Sequence, residues 1–176
     1  LRAGGHMLAI KGLSGFHLAA DACNENAVRR LRNLKNREAK PLAVMVSNLS
    51  SATRFVAISE SEAALLSAHE APIVLLEKHP AGKNQDLAPS VSQGHRRLGL
   101  MLPYTPLHHL LFEKTAEFGV EALVMTSGNV CDEPICLSNT EAREKLHSIA
   151  GAFLLHDRGI IRRADDSVVQ LLEDGP

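Results

Sequence analysis

Short apolar runs alternate along this chain with longer stretches whose apolar positions recur at helical spacing. Met7–Ile10, Leu42–Val46, Ile73–Leu76 (opened by Pro72), Leu98–Leu102, Ala122–Met125, Ala152–Leu155 and Ser167–Leu172 read as strands. Several are apolar without polar alternation, the pattern of strands covered by other elements. Between them, Asn24–Arg37 carries Ala27, Val28, Leu31 and Leu34 on one helical face, with Asp21 or Asn24 as cap and Arg29, Arg30, Arg32 and Lys35 along the outer surface. Ser59-Glu60-Ser61-Glu62 has capping-box spacing and starts a helix through Ser67; Ser138–Glu141 repeats it before a helix to about His147. Thr105-Pro106 pairs an N-cap with Pro at the first helical position, and Leu107, Leu110, Leu111 and Phe118 form that helix's expected buried face. Lys11–Gly15 is a glycine-punctuated turn, and His79–Gly94 reads as a long loop. The alternation predicts an α/β domain whose sheet is covered by helices on at least one face. No internal repeat or low-complexity tract divides residues 1–176, so one domain is expected. The initial Leu1 and the closing Glu173-Asp174-Gly175-Pro176 read as the ends of a piece of a longer multidomain protein.

Composition narrows the function classes. Lys and Arg number 19 against 20 Asp and Glu, a formal net charge of -1, so no global attraction to nucleic acid or to an anionic membrane exists. Aromatics make up 3% with no Trp, which leaves no platform for stacking bases. No apolar run approaches the ~20 residues of a membrane span. No signal-peptide pattern opens the chain at Arg2, Gly4 and His6, so a cytoplasmic protein is expected. Cys23, Cys131 and Cys136 lack zinc-type pairing and read as reduced, structural thiols.

Three clusters are candidates for chemistry. Lys35, Arg37 and Lys40 crowd a helix end stopped by Pro41, a composition suited to polyphosphate, where Arg forks two oxygens and Lys adds a point charge. The bland alternative is a solvated basic helix end favoured by the helix dipole. Thr126-Ser127-Gly128-Asn129 directly follows a strand, where hydroxyls and a close-approaching backbone suit an anion; a simple turn is the alternative. Arg162-Arg163-Ala164-Asp165-Asp166-Ser167 pairs phosphate-binding cations with carboxylates able to meet Mg²⁺, or is a surface ion-pair cluster. His17 follows the glycine turn and is a site candidate, with a structural hydrogen bond as the equal alternative. His108 and His109 are adjacent on a helix, face different ways and make a poor joint metal site. Neither a Walker A nor a GxGxxG motif occurs.

Read in order, these segments resemble one family. Lys11-Gly12-Leu13-Ser14-Gly15-Phe16-His17-Leu18-Ala19-Ala20-Asp21-Ala22 is similar to the signature of the YrdC-like domain of the HypF carbamoyltransferases of nickel–iron hydrogenase maturation, with Ser14 where Gly is usual and Ala20 where Cys is common. The likeness continues through Lys35, Arg37, Lys40-Pro41-Leu42, residues 98–109, Met125–Asn129 with Glu133-Pro134-Ile135, and Arg163–Val169. The resemblance implies a twisted open mixed sheet flanked by helices. It implies that ATP and carbamoyl phosphate give a carbamoyl adenylate, whose carbamoyl group reaches HypE through the full-length protein. It further implies that Lys35, Arg37 and Lys40 grip phosphates, that Thr126, Ser127 and Asn129 hold the nucleotide, and that Arg163 and Ser167 close the cradle. Asp165 or Asp166 would orient Mg²⁺, and Lys11 and His17 would face the carbamoyl donor. Two alternatives remain: a threonylcarbamoyl-adenylate synthase, whose usual substrate-binding Arg is Met101 here, and a non-enzymatic RNA-binding module.

Overall fold

A computed structural model describes residues 6–37, 40–80, 87–131 and 133–172. Glu38 and Ala39 of the basic stretch, residues 81–86 of the expected long loop, Leu1, Arg2 and Gly4 at the start and residues 173–176 at the end lie outside these. Eight strands form one mixed sheet: β1 (Leu8–Lys11), β2 (Phe16–Asp21), β3 (Ala43–Val46), β4 (Ile73–Glu77), β5 (Arg97–Met101), β6 (Ala122–Ser127), β7 (Ala152–Leu154) and β8 (Val168–Val169). Their spatial order is β7-β1-β2-β6-β3-β5-β4-β8. The pairs β1/β7, β3/β5 and β4/β8 are parallel; the other neighbours are antiparallel. Helices α1 (Glu25–Leu34), α2 (Leu49–Ala52), α3 (Glu60–Leu66), α4 (Pro106–Ala116) and α5 (Asn139–Leu146) complete the α/β domain. This matches the expected mixed sheet flanked by helices.

Alternation along the strands splits the apolar interior in two. Phe16, Leu18, Val44, Leu76, Leu100 and Val124 join Val28 and Leu31 of α1 and Leu146 of α5 in the larger core. Ile10, Ala19, Met45, Met101, Leu123 and Met125 face the other way and meet Phe112 of α4. β2, a central strand with all six residues buried, has no counterpart among the expected elements. With both faces covered it shows no polar alternation, and His17, Asp21 and two alanines dilute its apolar signal. α4 is phased differently from expectation. His108, Phe112 and Thr115 are its buried residues, whereas Leu110 and Phe118 are 58% and 66% exposed. A helix with apolar residues on several faces does not declare which one packs. Leu34 likewise lies outside the core, and β8 spans two residues rather than Ser167–Leu172, with Leu171 and Leu172 exposed.

One feature of the sheet positions everything that follows. Ala20, Val124, Val44, Leu100, Val74 and Val169 form a continuous row from β2 to β8. Five strand spacings of about 4.8 Å would hold these strands about 24 Å apart in a flat sheet. Yet His17 Nε2, on β2, lies 3.1 Å from Asp166 Oδ2, just before β8. Strong twist and coil must therefore fold diagonal corners of the sheet toward each other. Residues 155–167 cross between the two edges as a strap. It is pinned by Lys11 Nζ donating to the His156 carbonyl (3.0 Å), by the His17–Asp166 pair, and by Ile73 N donating to the Ser167 carbonyl (2.8 Å).

Candidate functional site

The end of α1 is built to aim two cations inward. Asn36 adopts a φ of 48°, a left-handed conformation that Asn tolerates better than most residues. Asn36 N then donates to the Asn33 carbonyl (3.1 Å) and Arg37 N to the Arg32 carbonyl (3.0 Å), the paired bonds of a Schellman motif. This reverses the chain and turns Arg37 back toward the sheet. Lys35, expected on an outer surface, is 6% exposed. Its Nζ donates to the Ser127 carbonyl (2.6 Å), Ser127 Oγ (3.2 Å) and Asn129 Oδ1 (2.7 Å). Arg37 donates to Thr126 Oγ1 (3.1 Å) and to the Pro41 carbonyl (3.0 Å), while its buried Nε has no partner. Lys35, Arg37, Thr126, Ser127 and Asn129 thus converge. A hollow of about 440 Å³, lined by Pro41, Leu75, Glu77, Arg96, Arg97 and Gln170, is linked to them through Pro41, whose carbonyl accepts from Arg37.

Burial and like charge act together on these two cations. Burial, then the charge of Arg37, lowers the Lys35 pKa from 10.5 to about 8. Burial lowers that of Arg37 as well, with the Arg32 charge adding to the effect. Buried cations with a like-charged neighbour, Arg37 for Lys35 and Arg32 for Arg37, are costly. Such perturbed groups concentrate at functional sites.

The remaining expected residues fall elsewhere. Lys40 is exposed, and Ser167 is exposed at the sheet edge, its carbonyl held by Ile73. Arg163 sits on the strap rather than on the last strand. Its Nε donates to the Ile135 carbonyl (2.7 Å), and its guanidinium lies 3.8 Å from Glu141. It adjoins the Thr126–Asn129 loop through the intervening Ile135–Cys136 segment, where Cys136 N donates to the Gly128 carbonyl (2.9 Å). Lys11 has its ammonium on the strap carbonyl of His156. Asp165 is exposed, and Asp166 is engaged by His17, so the two acids do not form a cage. Among the described residues no group of three or more His, Cys, Asp or Glu could hold a metal. Gly128 serves packing rather than close approach to a ligand: a Cβ there would lie 2.6 Å from Phe16 Cβ and 2.7 Å from the Phe16 carbonyl. Of the thiols, Cys136 is buried, but Cys23 and Cys131 are exposed, which corrects the expectation of buried structural cysteines.

Sequence reasoning missed a second polar cluster. The His17 and His108 ring centroids are 6.4 Å apart, and Tyr104 meets His108 edge-on at 4.7 Å. Burial works to raise the Asp166 pKa, but the hydrogen bond and charge of His17, with help from His108 and Tyr104, hold it below the ordinary value. Burial, then the proximity of His17, pushes His108 down to about 4, so its fully buried imidazole is neutral. Both His108 ring nitrogens lack a partner. The four-residue spacing of Tyr104 and His108 was the available signal. His17 also pairs across the strand with Ser127, so the two clusters adjoin.

Comparison with known proteins settles the family. The family model for Sua5, YciO and YrdC, described as telomere recombination, matches residues 1–176. The chain belongs to this family. Within it, this YrdC-like domain is 52% identical to carbamoyltransferase HypF2 of Cupriavidus necator, over 94% of the chain and 22% of that protein. A full-length HypF in a phosphate- and nucleotide-bound form superposes with a TM-score of 0.86 at 44% identity, covering 94% of this chain and 25% of that one. The HypF of T. kodakarensis gives 0.89 at 37% identity, over 96% and 21%. The chain therefore spans about a fifth of the length of the curated relatives it matches, within their YrdC-like domain. Among the described residues, no helix is long and apolar enough to cross a membrane.

Proposed function

We propose that this YrdC-like domain binds ATP at the Lys35–Arg37 cluster and uses it to activate the carbamoyl group of carbamoyl phosphate as a carbamoyl adenylate. The observation that carries the reading is the buried, unpartnered Nε of Arg37 beside a buried Lys35 ammonium. A buried charged donor left unmade is costly, and phosphate oxygens supply the missing acceptors. The adjoining hollow of about 440 Å³ is of a size to take the nucleoside. The likeness to HypF carbamoyltransferases supports the choice of donor and, through the full-length protein, transfer onward to HypE.

For the atoms to balance, carbamoyl phosphate first loses its phosphate to water. A carbamate oxygen then forms a bond to the α-phosphorus of ATP, and the bond from that phosphorus to the bridging oxygen breaks. Pyrophosphate leaves with the electron pair. Charge grows on the phosphate oxygens during this exchange, and fixed cations stabilise it without reorganising. Lys35 and Arg37 take that role in the proposal. Thr126, Ser127 and Asn129 orient the nucleotide; Lys11 and His17, both tied to the strap, face the carbamoyl donor. Lys40, Arg163 and Ser167, which lie apart from the cluster, would have to move to close over the phosphates. Mg²⁺ would arrive with the nucleotide and neutralise phosphate charge. Asp165 and Asp166 are single carboxylates rather than a preformed site, so no step is assigned to the metal.

Calorimetry with ATP, and ATP–pyrophosphate exchange dependent on carbamoyl phosphate, test the proposal on Arg37→Ala. Loss of charged hydrogen bonds worth about 1.5–3 kcal/mol predicts affinity at least ~10-fold weaker. Unchanged binding and exchange would remove Arg37 from the site. Stimulation by threonine and bicarbonate instead of carbamoyl phosphate would favour the threonylcarbamoyl reaction. Salt-dependent RNA binding without ATP binding would favour a binding module.

A further inference from the structure

Arg32 lies on α1, three residues before Lys35, where the sequence pattern puts a solvated cation. The structure spends it differently. Its Nε donates to the Ser90 carbonyl (2.6 Å) and Nη2 to the Val91 carbonyl (3.1 Å). Its Nη1 donates to the carbonyls of Arg37 (2.8 Å) and Lys40 (3.0 Å). One planar guanidinium therefore ties four backbone carbonyls from two separate segments. The Arg32 carbonyl also accepts from Arg37 N, so Arg32 holds the Arg37 residue by both its N–H and its C=O.

The second segment is itself anchored. Ser90 N and Oγ donate to Glu25 on the first turn of α1 (3.1 and 2.6 Å), and Leu42 N donates to the Val91 carbonyl (2.9 Å). Arg32 thus bridges the anchored Ser90–Val91 pair to the backbone carbonyls of Arg37 and Lys40. Burial lowers the Arg32 pKa, with Glu25 opposing, and its charge in turn disfavours that of Arg37. A chain selected for stability alone has no need to place Arg32 where its charge disfavours that of Arg37. A chain that must fix a cation's backbone while adding to the positive field does.

We propose that Arg32 is a positioning residue: it holds the backbone of Arg37 by its N–H and its carbonyl so that Arg37 meets an incoming polyphosphate, while itself touching none of it. The inference rests on the anion reading of the Lys35–Arg37 cluster. A lysine cannot replace it, because a point ammonium has no planar fork to span four carbonyls.

The test measures binding of inorganic pyrophosphate and, separately, of ATP to the wild-type chain, Arg32→Gln, Arg32→Lys, Arg37→Ala and the Arg32→Gln/Arg37→Ala double variant. Arg30→Gln serves as control, removing the same charge from an exposed position of the same helix. Misplacement of a binding group predicts a loss of roughly 10- to 100-fold for Arg32→Gln. Arg32→Lys should not restore it, and Arg30→Gln should lose far less. In the double variant the Arg32 change should add little, because its effect runs through Arg37. Thermal melts check that each variant is folded at the binding temperature. Wild-type affinity in Arg32→Gln, full rescue by Lys, or losses that multiply in the double variant would each overturn the assignment. Binding of pyrophosphate but not ATP by the wild-type chain would refute the nucleotide reading and leave Arg32 to be judged on pyrophosphate. Binding of neither refutes both.

Discussion

Raising the pH from 7 to 9 should weaken ATP binding by discharging one residue, Lys35. Its pKa in the free domain is about 8, pushed down from 10.5 by burial and by the Arg37 charge. At pH 7 about nine-tenths of the molecules carry the ammonium, and at pH 9 about one-tenth do. If only the charged form receives the phosphates, apparent Kd scales with the inverse of that fraction and rises about 10-fold across the interval. The terminal phosphate of the ligand, with a second pKa of ~6, is already ionised throughout, so it adds no comparable slope. Calorimetric titrations at half-unit steps and constant ionic strength measure the profile. Lys35→Met removes the titrating group and should bind more weakly at pH 7 with a nearly flat profile. A wild-type Kd independent of pH, or an equal slope in Lys35→Met, would refute the argument.

Other consequences follow from the geometry. Gly128→Ala should cost about 1–3 kcal/mol or more in chemical denaturation, because the new methyl meets backbone atoms of Phe16 that cannot step aside. Asp166→Asn should destabilise by about 1–3 kcal/mol and speed amide exchange in the strap, since it removes the carboxylate that joins residues 155–167 to β2. For wild-type the sign follows from the lowered Asp166 pKa. The stabilisation is fully present above the ordinary value of 3.8 and is lost as pH falls through the folded value beneath it. Unchanged strap exchange in Asp166→Asn would contradict this account. His108→Phe should raise the melting temperature, because two buried ring nitrogens without partners are replaced by carbon. A lower melting temperature would show that those nitrogens are satisfied in solution.

What could be read in advance divides along a physical line. Local signals carried through: the Ser59–Glu62 capping box forms reciprocally, and Thr105 caps α4 with Pro106 following it. Residue type alone leaves Lys35 and Arg37 as a solvated helix end and Thr126–Asn129 as a simple turn. Their joining in one site was legible only through the family resemblance, because the contact runs between residues about 90 positions apart. The rest of the long-range geometry was not legible. β2 sits in the middle of the sheet, where burial on both faces erases periodicity. Arg32 reads as an exposed cation because its acceptors among the described residues are backbone carbonyls, which any sequence supplies. Asp166 reads as a metal ligand until the coiling of the sheet brings His17 against it. Only the folded chain shows that a glycine beside two hydroxyls admits the Phe16 backbone rather than a phosphate.

On the proposed reading, phosphates enter between Lys35 and Arg37. A crystal structure of this domain with a non-hydrolysable ATP analogue tests it most directly. The account predicts phosphate oxygens at hydrogen-bond distance, about 2.7–3.2 Å, from Lys35 Nζ and from the guanidinium of Arg37, with Nε no longer unpartnered. Phosphates bound instead beside Arg96 and Arg97, with Lys35 still donating only to Ser127 and Asn129, would contradict it.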